Sequence, residues 1–178
     1  MAGKAFLLIP LYIYPAEMDH WKPIITAAQD HRDVTFRTII NPENGPGPNQ
    51  RPNSDFVWGL SQLNAEPNIE TLAYVHTANK LNCGRRHDGI CVCSQPMQAL
   101  QKNISIYQNW PTSGCSPDGS NTMDITVDGI FFDEAPSNAS CYDYMSQAAS
   151  YAKSTLTRGN IVLFNAGAAV PTLASQTT

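Results

Sequence analysis

Short apolar runs alternate along the chain with stretches in which apolar residues recur at helical spacing. The apolar runs predict strands at residues 6–9 continuing through 11–14, and at 34–40, 72–76, 129–132 and 161–164. We expect the first run to be a strand covered on both faces. The helical spacing predicts helices over 18–31, from Ser54 as N-cap through Leu63, from Met97 to near Trp110, and around 142–152. The order βαβαβαβαβ predicts a parallel α/β sheet, either doubly wound or a barrel.

The connection after the first predicted strand bears on the choice between these two folds. A doubly wound nucleotide-binding sheet has glycines there, whereas this chain has Pro15-Ala16-Glu17 and contains neither GxGxxG nor GxxxxGK[ST]. The pattern therefore argues against a nucleotide-binding sheet. It remains compatible with a parallel barrel.

The length limits how much of a barrel is present. The chain has 178 residues, whereas a closed (β/α)8 barrel typically needs about 250. No repeat or linker divides residues 1–178, so we expect a single domain. About five strands fit this length, which predicts an incomplete (β/α)8 TIM-barrel type. Either the chain is a fragment, or a partner covers the open edge of the barrel.

Composition and charge exclude several classes of protein. Hydrophobic residues make up 42% of the chain and charged residues 15%, which argues against a disordered protein. Eleven Lys and Arg against fifteen Asp and Glu give a net charge of −4, so we expect no nucleic-acid partner. No run approaches the ~20 apolar residues of a membrane span. Pro10 and Pro15 interrupt the first apolar run, so no signal peptide is visible.

The strongest candidate chemistry is the pair Asp133-Glu134, directly after the apolar run 129–132. The carboxyl ends of parallel strands share one edge, where residues distant in sequence converge. Burial and mutual repulsion there can keep one carboxyl protonated and the other ionised, as glycoside hydrolysis requires. Neighbouring residues on a strand point to opposite faces, so both reach one pocket only if the strand ends or bends between them. The alternative is a structural pair that caps the next helix or binds an arginine.

Other residues at strand ends are candidates for binding a sugar. His76 can donate to a hydroxyl, and Tyr12 and Tyr14 can stack on a pyranose ring. Asn41 and Asn165 offer both donors and acceptors to a polyol. The alternatives are a structural hydrogen bond for the histidine, core packing for the tyrosines and loop turns for the asparagines.

The five cysteines are an odd number, so at least one has no partner within the chain. Cys83, His87, Cys91 and Cys93 have a C-x3-H-x3-C-x-C spacing that resembles a zinc site only weakly, because it matches no standard finger or ribbon. We expect no metal and no cofactor. The glycosylation tripeptides at Asn103 and Asn138 matter only in a secreted protein, and such tripeptides also occur by chance.

Five segments together carry a resemblance to a known family. They are Pro10-Leu11-Tyr12-Ile13-Tyr14-Pro15, Ile40-Asn41-Pro42 with Asn44-Gly45-Pro46-Gly47, Tyr74-Val75-His76-Thr77, 127–136 with Asp133-Glu134, and Phe164-Asn165-Ala166-Gly167. In this order the segments resemble the spherulin-4-like proteins, which are fungal and slime-mould (β/α)8 glycoside hydrolases. Characterised members cleave α-1,4-linked N-acetylgalactosamine in galactosaminogalactan.

The resemblance implies that Asp133 and Glu134 are the catalytic acids and that Tyr12, Tyr14, Asn41, His76 and Asn165 line the sugar pocket. It also implies a polysaccharide substrate and an extracellular or cell-wall location. Family members continue past the Asn-x-Gly segment with further strands and another acid, so we expect a truncated barrel. Residues 83–95 resemble an insertion. The alternatives are a catalytically silent carbohydrate-binding or cell-surface remnant, and a truncated product that does not fold alone.

Overall fold

The computed structural model describes residues 6–16, 20–78, 93–110, 123–137 and 139–166. Within these ranges five parallel strands form one sheet in the order β1-β2-β3-β4-β5. They are β1 (Phe6–Leu11), β2 (Thr35–Ile40), β3 (Ile69–His76), β4 (Gly129–Asp133) and β5 (Ile161–Phe164). Every strand pairs with the next one in sequence, whereas a doubly wound sheet reverses its order at a switch point. The predicted barrel type is therefore confirmed, and among the described residues the barrel is not closed.

In the described part of the chain four α-helices connect the strands. They are α1 (Lys22–Asp30), α2 (Ser54–Asn64), α3 (Met97–Asn109) and α4 (Tyr142–Thr155), the last preceded by a 3-10 turn at Ala139–Cys141. The predicted N-cap at Ser54 is wrong by one residue, because the Asn53 side chain accepts a hydrogen bond of 3.1 Å from the Phe56 backbone N–H. None of the helices in the described ranges is long and apolar enough to cross a bilayer.

The two faces of the sheet are packed differently. On the outer face Leu60 and Leu63 of α2 and Leu100 and Ile104 of α3 are fully buried, each stabilising the fold by about 1.5–3 kcal/mol. A smaller cluster covers the other face, formed by Ile39, Leu72, Tyr74 and Phe131. We call this second face the inner face. Because side chains alternate along a strand, the inner face also carries His76, two residues after Tyr74, and Asp133, two residues after Phe131.

The prediction that the first strand is covered on both faces is wrong for the described residues. Phe6, Leu7 and Leu8 are 39%, 51% and 41% exposed. The reason is that β1 pairs only with β2 and forms one edge of the described sheet. The strand also ends at Leu11, so Tyr12 and Tyr14 lie in the connection that follows it.

Candidate active site

The carboxyl ends of the strands bring together side chains from four parts of the sequence. Tyr74 and His76 lie two residues apart on β3, and His76 is in register with Asp133 on β4. Asn165 directly follows β5. The ring of Tyr12, just after β1, lies edge to face with that of Tyr74, with the ring centres 5.9 Å apart. These residues form one cluster at the end of the inner face.

Both oxygens of the Asp133 carboxylate are hydrogen-bonded. The Tyr74 hydroxyl donates to Oδ2 at 2.9 Å, and Nδ2 of Asn165 donates to Oδ1 at 2.8 Å. Two donors, one on β3 and one directly after β5, fix the orientation of this carboxyl group. The geometry thus presents Asp133 as a half-buried carboxylate of fixed orientation.

The chain bends directly after Asp133. Glu134 has a φ of +54°, in the left-handed region that non-glycine residues rarely adopt. Thr77 holds this bend: its hydroxyl donates to the carbonyl oxygens of Asp133 at 3.1 Å and of Glu134 at 2.9 Å. Its backbone N–H also donates to the Asp133 carbonyl at 3.1 Å. The bend occurs at the position where a straight strand would turn the two carboxyl groups to opposite faces.

The pKa values of the two neighbouring tyrosines, Tyr74 and Tyr12, are raised. Burial raises the pKa of Tyr74 well above its usual value, and the hydrogen bond and charge of Asp133 and the charge of Glu134 raise it further. Burial and the charge of Asp133 also raise the pKa of Tyr12. Both carboxyl groups therefore act on the Tyr74 hydroxyl, which stays protonated and serves as a donor.

The structural alternatives for the acidic pair find no support in the described residues. Arg32, Arg37 and Arg158 pair with other acids, namely Glu66, Glu70, Asp124 and Asp128. The N-cap of α4 is Cys141, with no capping side chain. Neither an arginine partner nor a helix cap explains Asp133 and Glu134 in this part of the chain.

His76 and Asn41 are both tied to the connection between β2 and α2. Nδ1 of His76 lies 3.1 Å from the Asn44 carbonyl oxygen, which can only accept, so the ring carries its hydrogen on Nδ1. In the neutral ring Nε2 then bears a lone pair that can accept from a ligand hydroxyl. Oδ1 of Asn41 accepts from the Gly45 N–H at 2.8 Å, so its amide oxygen shapes the loop.

Tyr14 makes a separate set of contacts. Its hydroxyl donates to Asp55 at 2.5 Å and accepts from Asn53 at 3.0 Å, while its ring lies edge to face with Phe56. The hydrogen bond to Asp55 raises the pKa of this phenol. The contacts of Tyr14 within the described ranges therefore join the connection after β1 to the start of α2.

The cysteine predictions are only partly within the described residues. Cys93 forms a disulfide with Cys141, so it offers no thiolate to a metal. Cys83, His87 and Cys91 lie outside the described residues, as does Asn138. Where the structure describes the chain, no three potential metal-binding side chains stand together. The disulfide joins the segments that follow β3 and β4.

Sequence reasoning missed two residues that organise the cluster, Tyr74 and Thr77. Tyr74 stands two positions before His76, so the alternation of side chains already placed both on one face of β3. That signal was available in the sequence. The role of Thr77 depends on a contact with the carbonyl oxygens of another strand, for which the sequence carries no pattern.

The fold and this cluster define a class of protein: a parallel (β/α) barrel type with paired carboxyl groups at the carboxyl ends of its strands. The sequence profile of spherulation-specific family 4 matches residues 6–177, and the chain belongs to this family. The resemblance drawn from the five sequence segments is thereby confirmed.

Two known proteins are similar to the chain. Spherulin-4 of Physarum polycephalum is 28% identical over 149 residues, which are 83% of this chain and 35% of Spherulin-4. The crystal structure of Sph3 from Aspergillus clavatus in complex with GalNAc matches with a TM-score of 0.75 and 30% identity. That match covers 94% of this chain and 60% of the Sph3 chain. The chain therefore spans less than two thirds of either relative.

Proposed function

We propose that the chain carries the acidic centre of a glycoside hydrolase that acts on α-1,4-linked N-acetylgalactosamine polysaccharide of the galactosaminogalactan type. The observation that carries this proposal is the bent end of β4, where Asp133 accepts hydrogen bonds from Tyr74 and Asn165 and Glu134 follows with a positive φ. The similarity to Sph3, which was crystallised with GalNAc, supports the sugar class. Family membership supports the type of reaction.

The two acids have different surroundings, which supports different roles. Asp133 is held in place by two hydrogen bonds, and we assign it the stabilisation of the positive charge that develops at the anomeric carbon. We assign the transfer of the proton to Glu134, because its carboxyl receives no hydrogen bond from another described residue and is left to contact the ligand. Glu134 protonates the glycosidic oxygen as the bond from this oxygen to the anomeric carbon breaks. Water then adds hydroxyl to that carbon and returns its second proton to Glu134.

The remaining predicted site residues divide by their contacts. Tyr12 and His76 lie against the carboxylate cluster, and we assign them direct contact with the sugar, Tyr12 through its ring and His76 through Nε2. Asn165 holds Asp133 and borders the same site. Tyr14 and Asn41 hold the surrounding loops, and their contact with sugar stays a prediction.

Hydrolysis of defined oligomers tests this proposal. The intact protein is incubated with α-1,4-linked N-acetylgalactosamine oligomers, and the products are measured by chromatography. We expect Asp133→Asn and Glu134→Gln each to reduce the rate by about a hundredfold or more. Asp33→Asn is the matched control, because Asp33 is exposed and lies before the amino end of β2, whereas the acidic pair lies at the carboxyl ends of the strands. Full activity in either site variant contradicts the assignment.

A second candidate function is carbohydrate binding without hydrolysis. The observation that favours it is the exposed ring of Tyr12 beside the acidic cluster, because such a ring can pack against a sugar without taking part in bond cleavage. Saturable binding of the oligomers without any product supports this candidate, and turnover excludes it.

We also propose an extracellular or cell-wall location. The disulfide between Cys93 and Cys141 supports it, because disulfides persist in oxidising compartments and are rare in the cytosol. Detection of the protein in the culture medium or wall fraction, with both cysteines blocked to alkylation, is the expected result. Recovery from the cytosol with free thiols contradicts this location.

A further inference from the structure

A second cavity lies beside the carboxylate cluster. One wall is the connection between β2 and α2, which includes Glu43. The other wall is the side of α3 that carries Lys102 and Asn103, with the buried Ile106 beneath them. Its volume is about 480 Å³. Cavities that bind small molecules generally measure about 300–1,000 Å³, so this one has room for a sugar unit.

The cavity is joined to the cluster through one hydrogen bond. Asn44 lines the cavity, and its carbonyl oxygen accepts from Nδ1 of His76 at 3.1 Å. His76 is in turn in register with Asp133 on the neighbouring strand. A polymer bound at the carboxylates therefore needs to extend only past His76 to enter the cavity.

The loop wall is already shaped for a ligand. The Gly45 N–H donates to Asn41, and the Glu43 N–H donates to the Gly45 carbonyl at 3.1 Å. Asn44, Gly45 and Gly47 all have positive φ values, of 50°, 137° and 78°. Because these bonds fix the loop before any ligand arrives, binding requires little ordering of the protein.

The wall formed by α3 includes Asn103, which the sequence indicated as a possible glycosylation site. Asn103 begins a glycosylation tripeptide, but it lies inside α3 and its amide stands 3.6 Å from where a side chain on Gly45 would begin. The serine of the same tripeptide, Ser105, is bonded to the Tyr151 hydroxyl at 2.8 Å. The structure gives Asn103 the place of a wall residue facing the loop.

The charges on the walls indicate the kind of ligand. Glu43 and Lys102 face the same cavity, and neither forms an ion pair with another described residue. A carboxylate on one wall repels phosphate and sulfate, and an ammonium on the other repels a simple cation. A neutral ligand with many hydroxyls satisfies both walls, because hydroxyls donate to Glu43 and accept from Lys102.

We propose that this cavity is a secondary subsite that binds a further sugar unit of the same polysaccharide, beyond the unit held at Asp133 and Glu134. This inference rests on the proposed function. It predicts that affinity rises with oligomer length and that the gain comes from Glu43, Lys102 and Asn103.

Calorimetric titration tests the subsite. The intact Glu134→Gln variant, which we expect not to hydrolyse its ligand, is titrated with N-acetylgalactosamine and with its α-1,4-linked tetramer. We expect Glu43→Gln and Lys102→Met, each added to Glu134→Gln, to weaken tetramer binding by about tenfold and to leave monosaccharide binding unchanged. Lys153→Met is the matched control, because Lys153 is an exposed lysine on α4.

The outcomes separate the two proposals. A tetramer that binds no tighter than the monosaccharide, or that binds equally well in all variants, overturns the subsite while the carboxylate site stands. Equal losses for monosaccharide and tetramer also overturn it, because they indicate a general disturbance. If the Glu134→Gln parent binds neither ligand, the proposed sugar class fails and the subsite fails with it.

Discussion

The hydroxyl of Tyr74 on β3 donates a 2.9 Å hydrogen bond to the Asp133 carboxylate on the adjacent strand β4. Behind it, the Tyr107 hydroxyl donates to the Tyr74 backbone carbonyl at 2.9 Å, so α3 helps to hold this part of β3 in place. Asp133 therefore depends on an ordered donor whose own position is set by a fully buried residue.

Removal of the Tyr74 hydroxyl tests whether this residue positions Asp133 for catalysis or only stabilises the fold. We expect Tyr74→Phe to lower kcat about tenfold to a hundredfold, because a hydrogen bond to a charged group contributes about 1.5–3 kcal/mol. The measurement is steady-state hydrolysis of the oligomers together with thermal unfolding. Tyr151→Phe is the matched control, since it removes the hydroxyl bonded to Ser105 between α3 and α4. Equal losses of activity in the two variants contradict a positioning role for Tyr74.

The bend at Glu134 predicts an exchange of stability for activity. We expect Glu134→Gly to abolish hydrolysis yet raise the free energy of unfolding by about 1 kcal/mol, because glycine adopts a positive φ without steric strain. Glu134→Gln keeps the strain and is expected to leave stability nearly unchanged. Chemical denaturation of the three proteins is the measurement. A Glu134→Gly variant less stable than Glu134→Gln disproves the presence of strain at this residue.

The disulfide predicts a cooperative loss of stability. Cys93 and Cys141 are 48 residues apart in sequence, and closing a loop of that size stabilises a fold by about 4 kcal/mol. We expect Cys93→Ser and Cys141→Ser to lower stability by similar amounts, and the double variant to lose little more than either single one. Urea denaturation without reductant measures the three variants. Additive losses would mean that the two cysteines contribute independently.

The contact between β4 and β5 depends on the absence of a side chain at Gly129. A Cβ there would overlap the carbonyl oxygen of Ile161. We expect Gly129→Ala to cost about 3 kcal/mol or to prevent folding, since a paired backbone cannot move aside. Gly59→Ala is the comparison, because its Cβ would lie 2.8 Å from the Trp21 ring, which is a side chain. Thermal unfolding should rank Gly129→Ala as the more damaging change.

The sequence predicted much of the fold because strand and helix periods are local. The parallel strand order and the strand-end position of Asp133 followed from apolar runs and the polar residues after them. The exposure of β1 could not be predicted from its apolar sequence, because exposure depends on whether another strand lies beside β1. An apolar run has the same composition at an edge as in the middle of a sheet.

The site was predicted less completely for a related reason. The sequence placed Asp133 and Glu134 together but carried no sign of a positive φ between β4 and the next turn. Thr77, the residue after β3, holds that angle by donating to the carbonyl oxygens of Asp133 and Glu134. With five cysteines, the pairing of Cys93 with Cys141 was likewise one choice among several. Contacts between distant segments set these features, and residue spacing does not encode them.

The disulfide has a further consequence if the backbone of the chain is cut. The chain between Cys93 and Cys141 includes α3, β4 and the acidic pair. A single proteolytic cut anywhere in that interval leaves two fragments that remain covalently linked. The two fragments of the cut chain therefore separate only after this bond is also reduced.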